Sequence, residues 1–505
     1  FFSCLFASRR AQTRTDTSRH QINFSGGTDC GPCFEMSTPN THYGAEKIGR
    51  MLSGCKSIFF IGIGGINMSS LAHISHLRGY RTGGSDRTET ALTRSLADCG
   101  IEIFYSHDAF HVAGYDAVVY TVAISPENPE YKAARERGIP CISRADYLGY
   151  VMTGYRRRIG VCGMHGKSTC TSMCALAFME AGGDPTVISG AELAAMGGAY
   201  RIGGDENFIF EACEYMDSFL DFNPTVAVVL NIEMDHVDYF SSIEQIRRSF
   251  ASFMALTGEK GTAVINADDE NVMLAAQTYK GNRVTFSASD PAADYSAANV
   301  VFETGRASFD IMHGGVCAAH VALSVPGAHN IYNALAAFAA ADVCGLDAGR
   351  VARGLSAFTG ARRRMEYKGK FCGAEVYDDY GHHPTEVRAT LKAMRGVGSG
   401  RLFCVFQSHT YSRTAKLFDD FAEALTHADR AVVADIYAAR ETDDLGVSGA
   451  KLAAAVNGRG GSAVYGGSTE NIAKLLAGEL RAGDTLVVMG AGDIYKLFPL
   501  IGLSE

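Results

Sequence analysis

Short apolar runs alternate with longer amphipathic stretches along most of the chain, and this alternation predicts strands that are each followed by a helix. The runs at 158–162, 226–230 and 486–489 have the length and composition of buried strands. The pattern at 168–181 is typical of a helix that follows the first of these strands. Repeated units of this kind favour an α/β fold with mostly parallel sheets.

The chain has 505 residues, which is too many for a single hydrophobic core and predicts about three domains. We place their limits at 36–155, 156–360 and 361–505. Residues 1–35 begin without methionine and show no sustained apolar period, so we expect a disordered or non-native extension, with a transit peptide as the alternative. Met36 is then the expected native start.

Composition and charge narrow the class of protein. Hydrophobic residues make up 47% and charged residues 20% of the chain, as in globular proteins. The net charge of −9 is spread without a basic stripe, so we expect no nucleic-acid partner, and the apolar runs are too short for membrane insertion. The 14 cysteines mostly lie singly in apolar patterns and predict reduced thiols. The one Cys-x-x-Cys, at Cys30 and Cys33, lies outside any βαβ pattern and does not favour a redox site.

The segment Gly-Met-His-Gly-Lys-Ser-Thr at 163–169 joins a predicted strand to a predicted helix. Gly163 and Gly166 allow backbone N–H groups to approach an anion. In loops of this kind the lysine, here Lys167, reaches the outer phosphates, and the hydroxyl, here of Ser168, holds Mg²⁺. The full pattern G-x-x-x-x-G-K-[ST] requires glycine at 161, where this chain has Val161, so the segment is a shortened form. We interpret the segment as a nucleotide phosphate site, with a structural strand–helix turn as the alternative.

Polar residues follow the next two predicted strands of the same domain. Glu211 ends one strand, and Asp235 and His236 follow the other. Because the carboxyl ends of parallel strands meet at one edge, we expect these side chains beside the phosphate-binding segment. Carboxylate, hydroxyl and imidazole donors suit Mg²⁺ bound to a nucleotide. The alternative is that the two acids are solvated loop residues and that the histidine is structural.

A second glycine turn, with Gly62, Gly64 and Gly65, follows an apolar run near the beginning of the chain. It resembles a dinucleotide-binding turn, but its spacing is G-x-G-G and it lacks the third glycine of G-x-G-x-x-G, so an NAD site is not favoured. Asp86 follows the next predicted strand, where an acidic residue could bind a ribose hydroxyl. A solvated turn aspartate is the alternative.

Three later segments carry further polar residues. A predicted helix over 326–337 holds Asn330 and Asn333 in its first turn, where N-capping explains them better than ligand binding. Farther on, two strand-to-loop segments concentrate histidine and arginine, which favours a ligand site. These loop residues are His382, His383, His409 and Arg413. Adjacent histidines lack the i, i+4 spacing of a zinc pair, so zinc is not favoured.

Taken in order, these motifs resemble the Mur ligase family over nearly everything from residue 57 to the C-terminus. They are the G-x-G-G turn at 62–65, the segment at 163–169, Glu-Ala-Cys-Glu at 211–214, Asn-Ile-Glu-x-Asp-His at 231–236, His-Asn-x-x-Asn at 329–333, Arg-Arg-Met at 363–365, Asp-Asp-Tyr-Gly-His-His-Pro-Thr-Glu at 378–386 and Gln-x-His-x-Tyr-Ser-Arg at 407–413.

The resemblance implies an α/β protein of three domains: a Rossmann-like N-terminal domain for the UDP-sugar, a central P-loop ATPase-like domain with a mostly parallel sheet, and a Rossmann-like C-terminal domain that closes over the amino acid. The implied reaction joins L-alanine to the carboxylate of UDP-N-acetylmuramate through an acyl phosphate, in peptidoglycan precursor synthesis. The implied cofactors are ATP and Mg²⁺. A cytoplasmic monomer or homodimer is expected.

The resemblance also implies roles for individual residues. Lys167, His382 and Arg413 are assigned to catalysis. The ATP-binding set is Gly163, His165, Gly166, Lys167, Ser168, Thr169, His329, Asn330, Asn333 and Arg364. The substrate-binding set is Gly62, Gly64, Gly65, Ser85, Asp86, Tyr380, His382 and Arg413. The metal ligands are Ser168, Glu211 and His236.

The chain departs from the family pattern at a few positions. Met164, Cys213 and Tyr215 replace residues that are often Thr, Asp and Ser, and Thr410 stands where many members have arginine. The last change leaves the amino-acid pocket the least defined part of the site. Three alternatives remain: a related ligase that adds another amino acid or a peptide, an NAD-dependent dehydrogenase, and a nucleotide-sugar sensor without catalysis.

Overall fold

The computed structural model describes residues 38–236, 239–439, 441–442 and 445–504. The predicted extension at 1–35, with Cys30 and Cys33, lies outside these ranges. The described chain forms three sheets of five, ten and six strands, which confirms the α/β prediction. The cysteines in these ranges are all free thiols, as predicted, although several are exposed. No helix in these ranges has both the length and the apolar character needed to cross a bilayer.

The N-terminal sheet is parallel and has the strand order β3-β2-β1-β4-β5. Its central strand β1 is apolar and buried throughout. The strand order reverses beside β1, which is where parallel α/β sheets open a crevice at their carboxyl edge. The strands are β1 Ser57–Ile61, β2 Arg81–Ser85, β3 Glu102–Phe104, β4 Ala117–Tyr120 and β5 Cys141–Ser143. The helices are α1 Ala45–Met51, α2 Ile66–Leu77, α3 Ala91–Asp98, α4 Pro129–Glu136 and α5 Arg144–Met152.

The central sheet has the order β15-β14-β13-β12-β11-β10-β6-β9-β7-β8. Its middle strands are parallel, and antiparallel pairs occur near both edges. The strands are β6 Arg157–Cys162, β7 Thr186–Leu193, β8 Gly198–Arg201, β9 Asn207–Glu211, β10 Val226–Val229, β11 Thr262–Asn266, β12 Asn282–Ser287, β13 Tyr295–Glu303, β14 Arg306–His313 and β15 Val316–Pro326. The helices are α6 Lys167–Glu180, α7 Ile243–Ala255, α8 Glu270–Ala275, α9 His329–Val343 and α10 Ala348–Ser356.

The C-terminal sheet has the order β16-β17-β21-β18-β19-β20 and is parallel except between β16 and β17. The strands are β16 Glu366–Phe371, β17 Ala374–Asp379, β18 Leu402–Phe406, β19 Arg430–Ala434, β20 Ala463–Gly467 and β21 Thr485–Met489. The helices are α11 Pro384–Arg395, α12 Tyr411–Lys416, α13 Phe418–Leu425, α14 Gly449–Gly458, α15 Thr469–Glu479 and α16 Leu497–Leu500.

β13 and β14 form a hairpin, because they pair from Glu303 to Arg306 across a two-residue turn. Both turn residues, Thr304 and Gly305, have positive φ, as a tight hairpin turn requires. The helix expected from residue 326 begins at His329, because β15 continues through Pro326 and Gly327 turns the chain at φ 106°.

Candidate functional site

The phosphate-binding segment connects β6 to α6 at the carboxyl edge of the central sheet. Gly163 and Gly166 adopt φ values of 144° and 83°, which side chains rarely tolerate. Helix α6 begins at Lys167, so its positive end faces the loop. The Lys167 ammonium donates to the carbonyls of Gly163 and Met164 at 2.6 and 3.1 Å. The loop, the helix end and the lysine together form a site for an anion.

Gly166→Ala is expected to destabilise the fold by about 1–2 kcal/mol through the left-handed backbone alone. A Cβ there would also lie 2.7 Å from Oδ1 of the buried Asn333 on α9, so that amide would have to shift. Gly197 is the matched control, because it has φ 70° but nothing within 4 Å of its Cβ position. Urea unfolding should show a larger loss for Gly166→Ala than for Gly197→Ala. Equal losses of stability in the two variants would show that contact with Asn333 does not restrict the residue at position 166.

Glu214 lies between Lys167 and His236 at this site. Its Oε1 atom is 2.9 Å from Lys167 Nζ and 3.0 Å from His236 Nε2. Its side chain is completely buried, and Oε2 has no hydrogen-bond partner in the described part of the chain. Burial raises the pKa of this carboxyl, but Lys167 and His236 outweigh that effect and lower it. Burial likewise lowers the pKa of Lys167, whereas Glu214 raises it above its usual value. Both groups are therefore charged at neutral pH.

The predicted metal ligands are only partly brought together. His236 meets Glu214, whereas the Glu211 carboxylate accepts from the backbone N–H of Gly190 at 2.9 Å. Asp235, which was grouped with them, faces Arg413 of the C-terminal domain instead. Sequence reasoning did not single out Glu214, although it follows Glu211 by three residues in the motif that was recognised.

The N-capping expected for Asn330 and Asn333 is wrong, because α9 begins without a side-chain cap. The Asn330 amide donates to the Pro326 carbonyl at 2.8 Å and accepts from Asn333 at 3.0 Å. Both side chains are buried and line a cavity of about 440 Å³ between the central and C-terminal domains. His329 lines the same cavity, and burial lowers its pKa to about 4, so it is neutral. Predicted ATP-binding residues therefore surround one cavity.

Further predicted ATP-binding residues approach that cavity from both domains. His165, Gly166 and Thr169 line it on the central side, and Arg364 lines it on the C-terminal side. The Arg364 guanidinium donates to Ser168 Oγ at 3.3 Å and lies 5.0 Å from the centre of the Tyr380 ring. The two domains are thus joined at the phosphate end of the cavity.

His165 of the phosphate loop lies between carboxylates of two domains. Its Nε2 is 3.0 Å from Glu233 of the central domain, and its Nδ1 is 3.2 Å from Glu386 at the beginning of α11. Burial lowers the pKa of His165, but the two carboxylates raise it to about 9. Donor atoms of His165, Glu233 and His383 lie within 4.8 Å of one another. The ion pairs of His165 with the two carboxylates, and the capping of α11 by His383, account for this arrangement.

The docking of the C-terminal domain is expected to weaken in alkali. The pKa of His165 is raised from 6.5 to about 9 in the folded protein. The stabilisation from its ion pairs with the two carboxylates is therefore complete below pH 6.5 and is lost as the pH rises through about 9. Small-angle X-ray scattering from about pH 7 to about pH 10 should show the domains separating. His165→Gln should abolish that dependence; an unchanged profile in the variant would contradict the assignment.

The C-terminal residues predicted to hold the amino acid lie together. The ring of His382 is 5.5 Å from Tyr380 and 6.2 Å from His409, measured between ring centres. Arg413 Nη1 lies 3.5 Å from His409 Nδ1. Burial lowers the pKa of His382 to about 4, so this imidazole is neutral at pH 7. Tyr437 stacks on His409 at 5.6 Å and was not predicted, because it follows a different strand.

Arg413 also crosses to the central domain. Its Nη2 donates to Asp235 Oδ1 at 3.2 Å. Burial raises the pKa of Asp235, but the guanidinium holds it well below its usual range. Thr410, at the position of the missing arginine, has φ 66°, and its hydroxyl caps α12 by accepting from the Arg413 N–H at 3.4 Å. Arg413 therefore ties this group of C-terminal residues to the central domain through Asp235.

The N-terminal glycine turn is closed by Asp86. Gly62 has φ 83°, and Gly64 donates its N–H to Asp86 Oδ2 at 2.8 Å, while Gly65 begins α2 as its N-cap. Asp86 is thus bound to the turn rather than simply solvated. Ser85 is completely buried, and its hydroxyl donates to Glu130 at 2.7 Å, so it lies beneath the crevice rather than on its surface.

Comparison with known proteins gives matches along nearly the whole described chain. Three family models match: "Mur ligase family, catalytic domain" at 57–156, "Mur ligase middle domain" at 161–341 and "Mur ligase, glutamate ligase domain" at 363–492. The UDP-N-acetylmuramate–L-alanine ligase of Lachnospira eligens is 46% identical over 443 residues, covering 87% of this chain and 96% of the relative. The enzyme of that name from Clostridium novyi is 44% identical over 442 residues, covering 88% and 96%.

A solved structure supports the same domain arrangement. The UDP-N-acetylmuramate–alanine ligase of Thermotoga maritima superimposes with a TM-score of 0.72 at 27% identity, covering 87% of this chain and 97% of that one. The predicted fold class, with N-terminal, central and C-terminal α/β domains, is confirmed.

Proposed function

Because the chain belongs to the Mur ligase family, we propose that it joins L-alanine to the carboxylate of UDP-N-acetylmuramate with ATP as the energy source, in the cytoplasmic synthesis of peptidoglycan precursors. The observation that carries the proposal is the meeting of two domains at one anion site. Lys167 and Glu214 lie on the central side, and Arg364 and Arg413 reach across from the C-terminal side.

The adenosine part of ATP would occupy the cavity between the domains, with its phosphates toward the loop at 163–169. Asn330 and Asn333 offer amide groups along the cavity wall. Lys167 and Arg364 would bind the phosphates. Positive charge is needed there because the muramoyl carboxylate, a second anion, has to come close to them.

The residues beside Ser168 fit a magnesium ion. Glu214 presents a buried carboxylate oxygen that has no partner among the described residues. Of the ligands that the sequence assigned, Ser168 lies in the first turn of α6, His236 meets Glu214, and the charge of Glu211 helps to raise the pKa of Lys167. An oxygen-rich donor set of this kind suits Mg²⁺. When bound, the ion would neutralise phosphate charge and polarise the transferred phosphoryl group.

The chemistry proceeds in two steps. A carboxylate oxygen of the muramoyl group forms a bond to the γ-phosphorus, and the bond to ADP breaks, which gives an acyl phosphate. The amine of alanine then attacks the acyl carbon, phosphate leaves with the C–O electrons, and the amine loses a proton as the amide forms. Arg413 would pair with the alanine carboxylate, and neutral His382 would accept a hydrogen bond from the amine. Domain closure would protect the acyl phosphate from water.

The test is phosphate release with ATP, Mg²⁺ and UDP-N-acetylmuramate, with each amino acid added in turn. We expect rapid release only when L-alanine and the nucleotide sugar are both present. Faster release with another amino acid or a peptide would favour the related ligase. Thermal stabilisation by NAD instead of ATP would favour the dehydrogenase, and binding of the nucleotide sugar without any phosphate release would favour the sensor.

A further inference from the structure

Two turns of the central domain carry the pair Glu214 and His236, and each turn begins at one member of the pair. In the first turn, the Asp217 N–H donates to the Glu214 carbonyl at 3.0 Å. In the second turn, the Tyr239 N–H donates to the His236 carbonyl at 2.8 Å. The first turn follows β9 and the second follows β10, and these strands lie on either side of β6. Both turns therefore lie beside the phosphate-binding segment that follows β6.

The two turns are joined at both ends. At their first residues, Glu214 Oε1 lies 3.0 Å from His236 Nε2. At their last residues, the Tyr239 hydroxyl donates to Asp217 Oδ2 at 2.7 Å. The Ser249 hydroxyl of α7 donates to the other oxygen of the same carboxylate. Asp217 thus fixes the first turn to the second turn and to the helix that follows it.

The ring of Tyr215, in the first turn, packs against the second turn. Its centre lies 4.9 Å from that of the His236 ring and 6.3 Å from that of the Tyr239 ring. Tyr215 is also one of the positions at which this chain departs from the family pattern. The contact between the turns is therefore packed as well as hydrogen-bonded.

The backbone of both turns is strained. Met216 and Asp217 have φ values of 54° and 53°, and His236 has a φ value of 47°. This left-handed conformation is costly for most residues with a Cβ, whereas glycine adopts it freely. Strain of this kind persists only where the surrounding contacts impose it, and it is concentrated at functional sites. The hydrogen bond between Asp217 and Tyr239 is a contact that joins the two strained turns directly.

We infer that Asp217 and Tyr239 are positioning residues, and that their hydrogen bond holds the Glu214 turn against the His236 turn and thereby raises the affinity of this site for a divalent cation. The inference rests on the proposed function, because that function includes a magnesium ion beside Glu214. The two residues act through Glu214 and His236. Removal of a group that orients metal ligands in this way typically lowers metal affinity about 10- to 100-fold.

The test measures Mn²⁺ binding to the full chain by electron paramagnetic resonance, with ADP present and without the nucleotide sugar or L-alanine. Tyr239→Phe removes the hydroxyl and should weaken Mn²⁺ binding about tenfold or more. Asp217→Ala should weaken it at least as much, because this variant also loses the hydrogen bond from Ser249. The double variant should bind Mn²⁺ no more weakly than Asp217→Ala alone, because the two residues form one contact.

Two further variants separate positioning from stability. Asp217→Gly relieves the left-handed backbone but removes the carboxylate, so stability in urea should recover relative to Asp217→Ala, whereas Mn²⁺ affinity should not. Asp217→Asn keeps an acceptor for the tyrosine hydroxyl and should recover part of the Mn²⁺ affinity.

Tyr295→Phe is the matched control. The Tyr295 hydroxyl donates to the Asp342 carboxylate in the same domain, near the end of α9 that is opposite to the cavity. Removing this hydroxyl also breaks a tyrosine–aspartate hydrogen bond, but Mn²⁺ affinity should stay within about twofold of the wild type.

Unchanged Mn²⁺ affinity in folded Tyr239→Phe would overturn the inference. Additive effects of the two substitutions, or recovery of Mn²⁺ affinity in Asp217→Gly, would also overturn it, because the hydrogen bond would then not set the affinity. A wild-type protein that binds no Mn²⁺ would contradict both the magnesium site and this inference. A wild-type protein that binds Mn²⁺ but releases no phosphate with its substrates would contradict the proposed function and leave this inference standing.

Discussion

Replacing Lys167 with alanine is expected to lower the rate of phosphate release by about 100- to 1,000-fold, the loss that follows removal of one preorganised charge-stabilising group. The ammonium is held between the loop carbonyls of Gly163 and Met164 and the carboxylate of Glu214, at the loop that we propose binds the phosphates. Without the ammonium, the muramoyl carboxylate would have to approach the γ-phosphate of ATP with one positive charge fewer to offset their repulsion. The measurement is phosphate release at saturating ATP, nucleotide sugar and L-alanine.

Stability has to be separated from catalysis in this variant. Glu214 is completely buried, and loss of one partner of a buried ion pair costs about 3–5 kcal/mol. Lys167→Arg is the matched control, since it keeps the charge beside Glu214 and should unfold near the wild-type urea concentration. Its planar guanidinium does not fit the position of the ammonium between two carbonyls, so most activity should still be lost. Near-normal turnover in a folded Lys167→Ala variant would exclude the assignment.

The parts of this site that lie close together in the sequence were predictable. The loop at 163–169 is a local pattern, and its glycine conformations, the following helix and the lysine position agree with it. The strands at β6, β10 and β21 were also found within one or two residues of their ends, because buried strands carry an uninterrupted apolar run.

The parts that depend on packing between distant elements were not predictable. N-capping was the better local explanation for Asn330, yet its amide instead joins the Pro326 carbonyl and Asn333, because β15 delivers that carbonyl to the helix end. Glu214 became distinctive only when β6 and β10 brought Lys167 and His236 to it. Local sequence preferences describe a residue's neighbours along the chain, whereas these partners come from tertiary packing.

The interdomain contacts illustrate the same limit. Asp235 was grouped with the metal residues because it follows the same strand as His236 at the carboxyl edge of the sheet, and the His236 N–H does donate to its carboxylate. The charge that decides its role comes from Arg413, which is 178 residues away in sequence. A pattern within one domain carries no information on which side chain of another domain will dock against it.

Arg413→Ala is expected to raise KM for L-alanine about a hundredfold or more, because a desolvated arginine–carboxylate pair loses about 2–5 kcal/mol when one partner is truncated. Thr410 stands where many family members carry arginine, so one guanidinium of the family pattern is missing from the cluster. The first step does not involve alanine. Positional isotope exchange in ATP, measured with the nucleotide sugar but without alanine, should therefore continue at a rate close to that of the wild type.

Two variants separate alanine binding from domain docking. Asp235→Asn keeps Arg413 but removes the charge that holds it at 3.2 Å, so KM for alanine should rise less than in Arg413→Ala. Arg388→Ala is the matched surface control, since Arg388 pairs with the exposed Glu423 of α13 and should have little effect. If Arg413→Ala abolishes isotope exchange as well as alanine use, the guanidinium acts through closure onto Asp235. If exchange persists while alanine affinity falls, Arg413 binds the incoming carboxylate, and the missing arginine at 410 makes that contact indispensable.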